Sequence, residues 1–292
     1  MTVFNLGSIN ADYFYRVPHL PAPGETLSAR DLTRGLGGKG ANMSVAAARG
    51  GARVVHLGAV GADGSWAVER LEGYGVDTRH VASIGPATGH AIIYVDPQAE
   101  NSIVLFPGAN HAITREMVDS ALSEAAPGDT LLFQNETVME AEAAEIARGK
   151  GMRVAYAAAP FVAASVRAVL NSIDLLVLNA VEAEQLARET GTDLPDLPVR
   201  DIVVTRGGDG CLWISDQDRK GRSFDALKVD PVDTTGAGDT FTGYLVAGLD
   251  RGLQMEAAIG LATRAAALMV TRAGTADVIP DLAEVEARFP ER

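Results

Sequence analysis

The sequence predicts an α/β fold in which helices cover both faces of a mainly parallel central sheet. From about residue 130 onward, short β-branched runs such as TLLFQ and DLLVL alternate with Ala-rich helical segments, and this rhythm is typical of βαβ units. The N-terminal third differs, because its strands come in pairs with turn residues between them. Together the two patterns predict a large α/β body with a small sheet protruding from it.

Three apolar stretches predict the strands of the protruding sheet: VFNLGSINADYFYRV, ETLSARDL and HAIIYVDPQAENSIVLF. Within the last stretch, Asp96-Pro97-Gln98-Ala99 is a predicted hairpin turn, because Asp and Pro favour turn positions. Strands within about residues 10–35 and 88–107 would then lie over the body as a candidate lid.

The remaining elements follow in order from residue 130. Predicted strands are TLLFQ, RVAYA, DLLVLN and DIVVT, with helices at 137–149, 161–170 and 181–190 and a hairpin near GCLWISD. Two amphipathic helices joined at 250–253 and a last helix near 281–289 complete the chain. Without an internal repeat or a separating linker, residues 1–292 are expected to form a single domain.

Composition restricts the class of partner. The 25 basic and 38 acidic residues give a net charge of -13, which would repel a phosphate backbone or an anionic membrane. The single cysteine, Cys211, excludes an internal disulfide framework. The N-terminus has no basic region followed by a long apolar one, and no apolar run reaches the ~18 residues of a membrane span. We therefore expect a soluble, cytoplasmic protein.

The segment 233-DTTGAGDTFTG-243 places glycines directly before an apolar helix. Backbone N–H groups at Gly236, Ala237 and Gly238 would point out of the helix N-terminus without side chains in the way, which predicts an anion hole. Asp239, in the first turn, either stabilises the helix dipole or accepts a proton from an attacking hydroxyl. The glycines beside it favour the general base.

A second glycine-rich segment, 35-GLGGKGAN-42, matches the pattern G-x-G-x-x-G. It lacks the acidic residue expected about 20 positions later in a dinucleotide site, and it fails the P-loop pattern because Gly follows Lys39. We interpret it as a close-approach loop that offers Lys39 and Asn42 to a hydroxyl-rich ligand, with a helix over 42–49. The alternative is a flexible surface turn.

Polar residues follow other predicted strands. Asn10 and Asp12 are two residues apart, so both side chains can point the same way and grip vicinal hydroxyls; the alternative is an Asx-turn. Glu136 follows TLLFQN at the carboxyl end of a strand, where open α/β sheets bind ligands. The alternative for Glu136 is an exposed helix start.

Two further segments open after strands. Asn179 and Glu182 in 179-NAVE-182 follow a strand and open a helix, at the edge where open α/β sheets bind ligands, or they simply form a capping box. In 205-TRGGDG-210, Thr205 and Gly207 can reach phosphate oxygens, or the segment is a plain hairpin turn. The five histidines show no zinc-ligand spacing.

Four of these motifs, in this order, resemble the ribokinase-like (PfkB-type) carbohydrate kinases over essentially the full chain. They are GSINAD, GGKGAN, NAVE as the family's N-x-x-E, and DTTGAGDTF as its C-terminal signature. The last is highly specific, while GGKGAN with GSINAD is most similar to the ribokinase branch of the family. The resemblance implies a three-layer α/β sandwich with a β-sheet lid that often serves for homodimerisation.

The resemblance also implies site roles. Asp239 would be the catalytic base, with Gly236, Ala237 and Gly238 as the anion hole. Implied sugar-binding residues are Asn10, Asp12, Gly38, Lys39, Asn42, Glu136 and Asp239. Implied residues of the nucleotide side are Asn179, Glu182, Thr205, Gly207, Gly210 and Gly238, with Glu182 acting indirectly on Mg²⁺.

Family members are often activated by K⁺. Matching positions here are Asp233, the Thr235 carbonyl and the segment 269-MVTRAG-274, including Met269, Arg272 and Gly274. Two departures stand out. Val278 occupies a position that usually supplies a Ser hydroxyl to the cation, and 157-AAAP-160 replaces the common Asn-Pro-Ala-Pro.

The resemblance implies transfer of the γ-phosphoryl group of MgATP to a primary hydroxyl of a pentose, with D-ribose as the first expected acceptor. One alternative is another small alcohol of the same family, such as a nucleoside, fructose or a sugar phosphate. The second alternative is a sugar-binding regulatory homologue without turnover, for which a retained Asp239 would be useless.

Overall fold

The computed structural model describes residues 1–98 and 100–290. Its strands are β1 (Thr2–Leu6), β2 (Asn10–Arg16), β3 (Asp31–Gly37), β4 (Arg53–Val60), β5 (Asp77–Ser83), β6 (Gly89–Val95), β7 (Asn101–Phe106), β8 (Thr130–Phe133), β9 (Arg153–Ala157), β10 (Leu175–Asn179), β11 (Asp201–Thr205), β12 (Cys211–Ser215) and β13 (Arg222–Phe224). Its α-helices are α1 (Lys39–Arg49), α2 (Ser65–Gly73), α3 (Arg115–Ser123), α4 (Glu140–Gly149), α5 (Ala163–Val169), α6 (Ala180–Thr190), α7 (Ala237–Asp250), α8 (Met255–Met269) and α9 (Leu282–Arg288).

The predicted α/β body is confirmed. Nine strands form one sheet in the order β13-β12-β11-β10-β9-β8-β1-β4-β5, with parallel pairing from β11 through to β5 and antiparallel pairing only at β12 and β13. Successive strand residues enter opposite cores, as Val3 and Phe4 do. Helices α1, α2, α7, α8 and α9 cover one face and α3 to α6 the other, which makes three layers.

The smaller sheet has four strands in the order β3-β2-β6-β7. The sequence placed a strand within 25–32, whereas β3 begins at Asp31 and continues to Gly37. The reason lies in local turn chemistry, because the Glu25 N–H donates to the Ala22 carbonyl and the Glu25 carboxylate accepts the Ala22 N–H. In the predicted turn after β6, Asp96 Oδ1 accepts the N–H groups of Gln98 and Glu100; Ala99 lies outside the described residues.

Helix α1 packs against α7 at very short range. α1 begins at Lys39 rather than at 42, because Gly38 adopts φ 92° and turns the chain directly from β3 into the helix. A Cβ on Gly243 of α7 would lie 2.5 Å from the Cβ of Ala46 and 2.6 Å from the Met43 carbonyl oxygen. Only glycine permits this approach, and it brings the first turns of both helices together.

Across residues 1–98 and 100–290, the structure contains no helix with the length and apolar character of a membrane span.

We predict that Gly243→Ala destabilises the protein by about 1–3 kcal/mol, because the added methyl group overpacks the contact between α1 and α7. Urea unfolding followed by circular dichroism measures the change. Gly73→Ala in α2 is the matched control, since a Cβ there meets nothing within 4 Å and alanine favours a helix. Equal stability of Gly243→Ala and wild type would contradict the close contact.

Candidate active site

A cleft of about 710 Å³ opens at the carboxyl ends of β9, β10 and β11, beside the N-termini of α1, α6 and α7. This is the edge where open α/β sheets bind ligands. The sequence-predicted residues that line it are Lys39, Asn179, Glu182, Thr205, Gly207, Gly210, Gly236, Ala237, Gly238 and Asp239. One cleft therefore collects the predicted anion hole, the predicted base and the predicted nucleotide side.

The N-terminus of α7 presents open backbone donors. Gly236 caps the helix in the left-handed region at φ 75°, and a Cβ on Gly238 would meet nothing within 4 Å. The Ala237 N–H differs from the prediction, because it already donates to the Thr234 carbonyl at 3.2 Å. Among the described residues, the N–H groups of Gly238 and Asp239 have no acceptor, and they remain free for an anion.

Asp239 lies in the first turn of α7 with 6% of its surface exposed. Its Oδ2 accepts a hydrogen bond from Asn42 Nδ2 at 2.9 Å, and Lys39 Nζ lies 4.0 Å from Oδ1. The Asp239 carboxylate is the main cause that raises the pKa of Lys39 above its usual value, so the ammonium stays charged. A carboxylate held between an amide and an ammonium keeps a fixed orientation toward the cleft.

Asn10 and Asp12 do not line this cleft, but the small sheet places Asp12 within electrostatic reach of Glu136 and Asp239. They open β2 rather than end β1, with both side chains on one face and both buried. Asn10 Oδ1 accepts from Asn110 Nδ2 at 2.8 Å. A Cβ on Gly37 would overlap the Asp12 carboxylate, which explains why glycine stands there in β3.

Asp12 is a buried acid without a hydrogen-bond donor among the described residues. Burial first, then the charges of Glu136 and Asp239, raise the pKa of Asp12 to about 7. Sugar hydroxyls are the donors that such a group lacks.

Glu136 contacts the GSINAD motif and the glycine-rich segment 35–42. Its Oε2 accepts from Ser8 Oγ at 2.5 Å and from the Lys39 N–H at 2.9 Å. The Ser8 hydroxyl in turn accepts from the Gly40 N–H at 3.2 Å. Glu136 therefore joins the end of β8 to the turn after β1 and to the start of α1.

Two residues of this region were missed by the sequence reasoning. Ser8 lies inside the GSINAD motif, between β1 and Asn10, so its place in the motif could have identified it as a site residue. Asn110 lies in a 3₁₀ turn, Gly108–Ala112, and it bonds the Ile9 N–H and the Asn10 side chain. It belongs to no motif, and only the folded chain places it beside Asn10.

Asn179 and Glu182 form a complete capping box at the start of α6. Asn179 Oδ1 accepts the Glu182 N–H, and Glu182 Oε2 accepts the Asn179 N–H, both at 2.8 Å. The capping alternative is therefore realised, yet both residues also line the cleft. Burial raises the pKa of Glu182, and the charge of Lys39 acts in the opposite direction.

The segment after β11 likewise fits both hypotheses, because it forms a hairpin turn and also lines the cleft. Antiparallel β11 and β12 form a hairpin, and Gly207 and Gly210 take φ of 57° and 82° in its turn. Thr205 Oγ1 donates to the Leu178 carbonyl at 3.3 Å. The turn carries no bulky side chain at the glycines that face the cleft.

The residues fit a Mg²⁺ ion that arrives with a nucleotide. No group of three or more His, Cys, Asp or Glu side chains within residues 1–98 and 100–290 could hold a metal alone. Mg²⁺ in such sites keeps several waters and binds one or two carboxylates together with substrate phosphates. Glu182, whose Oε2 alone is engaged in the cap, is placed for such an indirect contact.

The segment implied for K⁺ lies against Asp233. Oδ1 of Asp233 accepts the Thr235 N–H at 2.9 Å and Oδ2 accepts the Gly274 N–H at 3.2 Å. The Met269 carbonyl accepts the Arg272 N–H. Val278 Cγ1 lies 3.2 Å from the position of a Cβ on Gly274, so an apolar side chain packs beside this segment. The oxygen ligands that the segment offers, backbone carbonyls and the Asp233 carboxylate, are of the type that binds hard cations.

The chain is similar to known proteins over its full length. The profile of the pfkB family carbohydrate kinases matches residues 2–282. A ribokinase of Haemophilus influenzae is 36% identical, with 96% of this chain and 95% of that protein aligned.

Solved structures give the same result. A ribokinase from Thermotoga maritima superposes with a TM-score of 0.88 at 32% identity, covering 100% of this chain and 99% of that one. A ribokinase of Arabidopsis thaliana complexed with ribose and ATP superposes with a TM-score of 0.85 at 27% identity, with the same coverage.

We predict that Asp12→Asn raises the thermal stability of the ligand-free protein at pH 8. The native state binds the Asp12 proton more tightly than the unfolded chain, where the pKa is about 3.9. The contribution of Asp12 is therefore fully present below about pH 4 and is lost as pH rises through about 7. Asparagine stays neutral and avoids this loss, so the difference in Tm should shrink toward pH 4.

Thermal unfolding between pH 4 and 8 measures this difference. Asp31→Asn, at an exposed position of the same sheet, is the matched control and should follow wild type. Parallel Tm curves for Asp12→Asn and wild type would contradict the prediction.

Proposed function

The chain belongs to the pfkB family of carbohydrate kinases, phosphotransferases with an alcohol group as acceptor, and we propose that it transfers the γ-phosphoryl group of MgATP to the primary hydroxyl of D-ribose. The observation that carries the proposal is Asp239 in the first turn of α7, held by Asn42 and beside open backbone N–H groups. The ribokinases among its relatives, one of them complexed with ribose and ATP, support this choice of acceptor.

The sugar would bind between the small sheet and the α/β body. Asp12 and Glu136 accept hydrogen bonds from hydroxyls, and the Lys39 ammonium donates to hydroxyl oxygens. Asn10, already oriented by Asn110, offers its amide N–H₂ group. This mixture of acceptors and donors suits vicinal hydroxyls, which can each give one hydrogen bond and accept others.

Proton removal is assigned to Asp239. Oδ2 is engaged by Asn42, which leaves Oδ1 to accept the proton of the primary hydroxyl as its oxygen attacks phosphorus. The free N–H groups at the start of α7 lie where negative charge on the transferred group would be stabilised. A lid over the sugar excludes water, which would otherwise compete as acceptor.

The nucleotide would occupy the part of the cleft lined by Asn179, Glu182, Thr205, Gly207 and Gly210. Mg²⁺ bound to its phosphates supplies charge neutralisation, with Glu182 in indirect contact. We include K⁺ beside Asp233 in the proposal, where it would order the segment 269–274 next to α7. Because Val278 adds no oxygen, we expect K⁺ to bind more weakly than at a site with serine.

The geometry favours an acceptor without a phosphate group. Arg34, the cation that could have bound one, stacks on Trp66 at 4.1 Å and pairs with Tyr13 on the face of β2 opposite to Asp12. His90 packs against Phe106 with ring centroids 5.1 Å apart. The proposed sugar pocket contains the carboxyl groups of Asp12, Glu136 and Asp239 together with the Lys39 ammonium. This excess of acidic groups would repel a sugar phosphate.

We predict that Asp239→Asn lowers kcat by about 10²–10⁴-fold, the usual contribution of a general base, while ribose still binds. ADP release across ribose, 2-deoxyribose, fructose, fructose phosphates and nucleosides measures activity, in KCl and in choline chloride. Asp250→Asn is the matched control, because Asp250 lies in the same helix with the same exposed fraction, 6%, at the end remote from the cleft.

Wild type should turn over ribose fastest, with stimulation by K⁺. Full activity of Asp239→Asn would overturn the assigned base. Ribose binding without turnover of any acceptor would instead favour the regulatory alternative.

We further propose a homodimer through the small sheet. β7 is an edge strand of that sheet, and four consecutive apolar residues on it are about half exposed: Ile103, Val104, Leu105 and Phe106. An edge strand with apolar side chains exposed on both faces invites association with another chain. A second copy of the lid supplies a surface of the same character.

We predict that wild type has twice the 30.5 kDa mass of one chain by light scattering and that Val104→Asp is monomeric. A charge buried in the apolar interface would cost more free energy than the association of the two chains gains. Val181→Asp on α6 is the matched control, since Val181 is exposed to a similar degree, 63% against 59%, and should leave the mass unchanged. A monomeric wild type would sink the dimer.

A further inference from the structure

A chain of buried hydrogen bonds runs beneath the sugar side of the cleft. Gln134 Nε2 donates to Asn5 Oδ1 at 2.9 Å, and Asn5 Nδ2 donates to Ser44 Oγ at 2.8 Å. Ser44 Oγ lies 2.8 Å from His56 Nδ1, and His56 Nε2 lies 3.0 Å from the Gly7 carbonyl oxygen. All four side chains are fully buried. Gln134 Oε1, at one end of the chain, has no hydrogen-bond partner among the described residues, whereas Ser44 and both ring nitrogens of His56 are paired. This pairing fixes one arrangement of Ser44 and His56, because a misalignment would leave a buried group unpaired.

The chemistry of the partners determines the direction of this chain. The Gly7 carbonyl can only accept, so Nε2 of His56 carries the hydrogen. Nδ1 is then the acceptor, and the Ser44 hydroxyl donates to it. Complete burial lowers the pKa of His56 to about 4, which keeps the imidazole neutral under physiological conditions.

The network ends on the two backbone segments that carry or contact the proposed sugar-binding residues Glu136 and Lys39. Gly7 precedes Ser8, which donates to Glu136. Asn5 Nδ2 also donates to the Gly40 carbonyl at 2.8 Å, directly after Lys39. Gly7 and Gly40 are in backbone contact, since a Cβ on Gly40 would overlap Gly7. A shift of either segment would therefore separate Glu136 from the Lys39 N–H.

The strand β4 leaves room for the imidazole to reach this point. A Cβ on Gly58 would lie 2.8 Å from His56 Nε2 and 3.1 Å from the Gly7 carbonyl oxygen. Glycine at this position therefore keeps the path between the ring and its acceptor open.

We propose that His56 is a positioning residue for the acceptor sugar: its neutral imidazole holds the Gly7 carbonyl and, through Ser44 and Asn5, the start of α1. The inference rests on the proposed function and extends it to residues that touch no substrate. The nucleotide side is separate, because Asn179, Thr205 and Gly207 make no hydrogen bond to the four side chains of the network in the described structure. Loss of His56 should thus affect the sugar and spare ATP.

Kinetics and direct binding test this separation. His56→Ala and Ser44→Ala should raise KM for D-ribose, and its Kd by calorimetry, about tenfold, the effect of roughly one lost buried hydrogen bond. KM for ATP should stay within about twofold. His56→Gln should recover most of the affinity, because its amide N–H₂ group can donate to the Gly7 carbonyl.

Val118→Ala is the matched stability control. Val118 is fully buried in α3, on the opposite face of the sheet, so the variant loses stability without touching the network. It should leave KM for ribose unchanged. A comparable rise in KM for Val118→Ala, or parallel changes for ribose and ATP in the His56 variants, would reduce His56 to a general structural role and overturn the proposal.

A second measurement does not depend on turnover. Long-range ¹H–¹⁵N spectra of the wild-type protein, with the His56 signal assigned by its loss in His56→Gln, should show a neutral Nε2–H imidazole from pH 5.5 to 8. An Nδ1–H tautomer, or titration within this range, would contradict the arrangement.

The outcomes separate the two proposals. A wild-type protein that neither binds nor phosphorylates ribose contradicts the proposed function and this inference with it. A wild-type protein that does both, beside His56 and Ser44 variants with unchanged ribose affinity, contradicts this inference alone.

Discussion

The close packing of α1 against α7 is the constraint on which the site depends. Gly243 in α7 accepts the Ala46 side chain of α1 at a distance that no other residue permits. One turn earlier in each helix, Asn42 and Asp239 are within hydrogen-bonding distance. The two contacts are linked, because side chains four residues apart stack along one helix face. The packing of α1 against α7 in the core thus fixes the orientation of the Asp239 carboxylate in the cleft.

Charge is the second organising feature, because three carboxyl groups lie near one another on the sugar side of the site. Burial first, and then the charges of Glu136 and Asp239, raise the pKa of Asp12, while the Lys39 ammonium lies 4.0 Å from Asp239 Oδ1. Each carboxylate is held by different elements: β2 for Asp12, the end of β8 for Glu136 and α7 for Asp239. A ligand that donates several hydrogen bonds would relieve this repulsion, which is a physical basis for the proposed preference for a sugar.

Much of the fold follows from local pattern. The β-branched runs from β8 to β11 and the helices between them were predicted because a buried parallel strand reads as a continuous apolar run. The errors fall where glycine or turn chemistry overrides the apolar pattern. β3 starts only at Asp31 because Glu25 closes a turn with Ala22, and α1 starts at Lys39 because Gly38 adopts φ 92°. The Ala237 N–H is used within its own turn, a detail no spacing reveals.

The sequence by itself determined the residue types and, for Asn179 and Thr205, the strand ends at which they stand, because glycines, carboxylates and capping residues act through the backbone next to them. The spacing of Asn10 and Asp12 and the order of Gly236 to Asp239 belong to this class. Only the tertiary structure decided which of these groups meet. Asn110 beside Asn10, Ser8 between Glu136 and Gly40, and His56 beneath Gly7 join residues distant along the chain, and such contacts depend on how strands and helices pack rather than on any local preference.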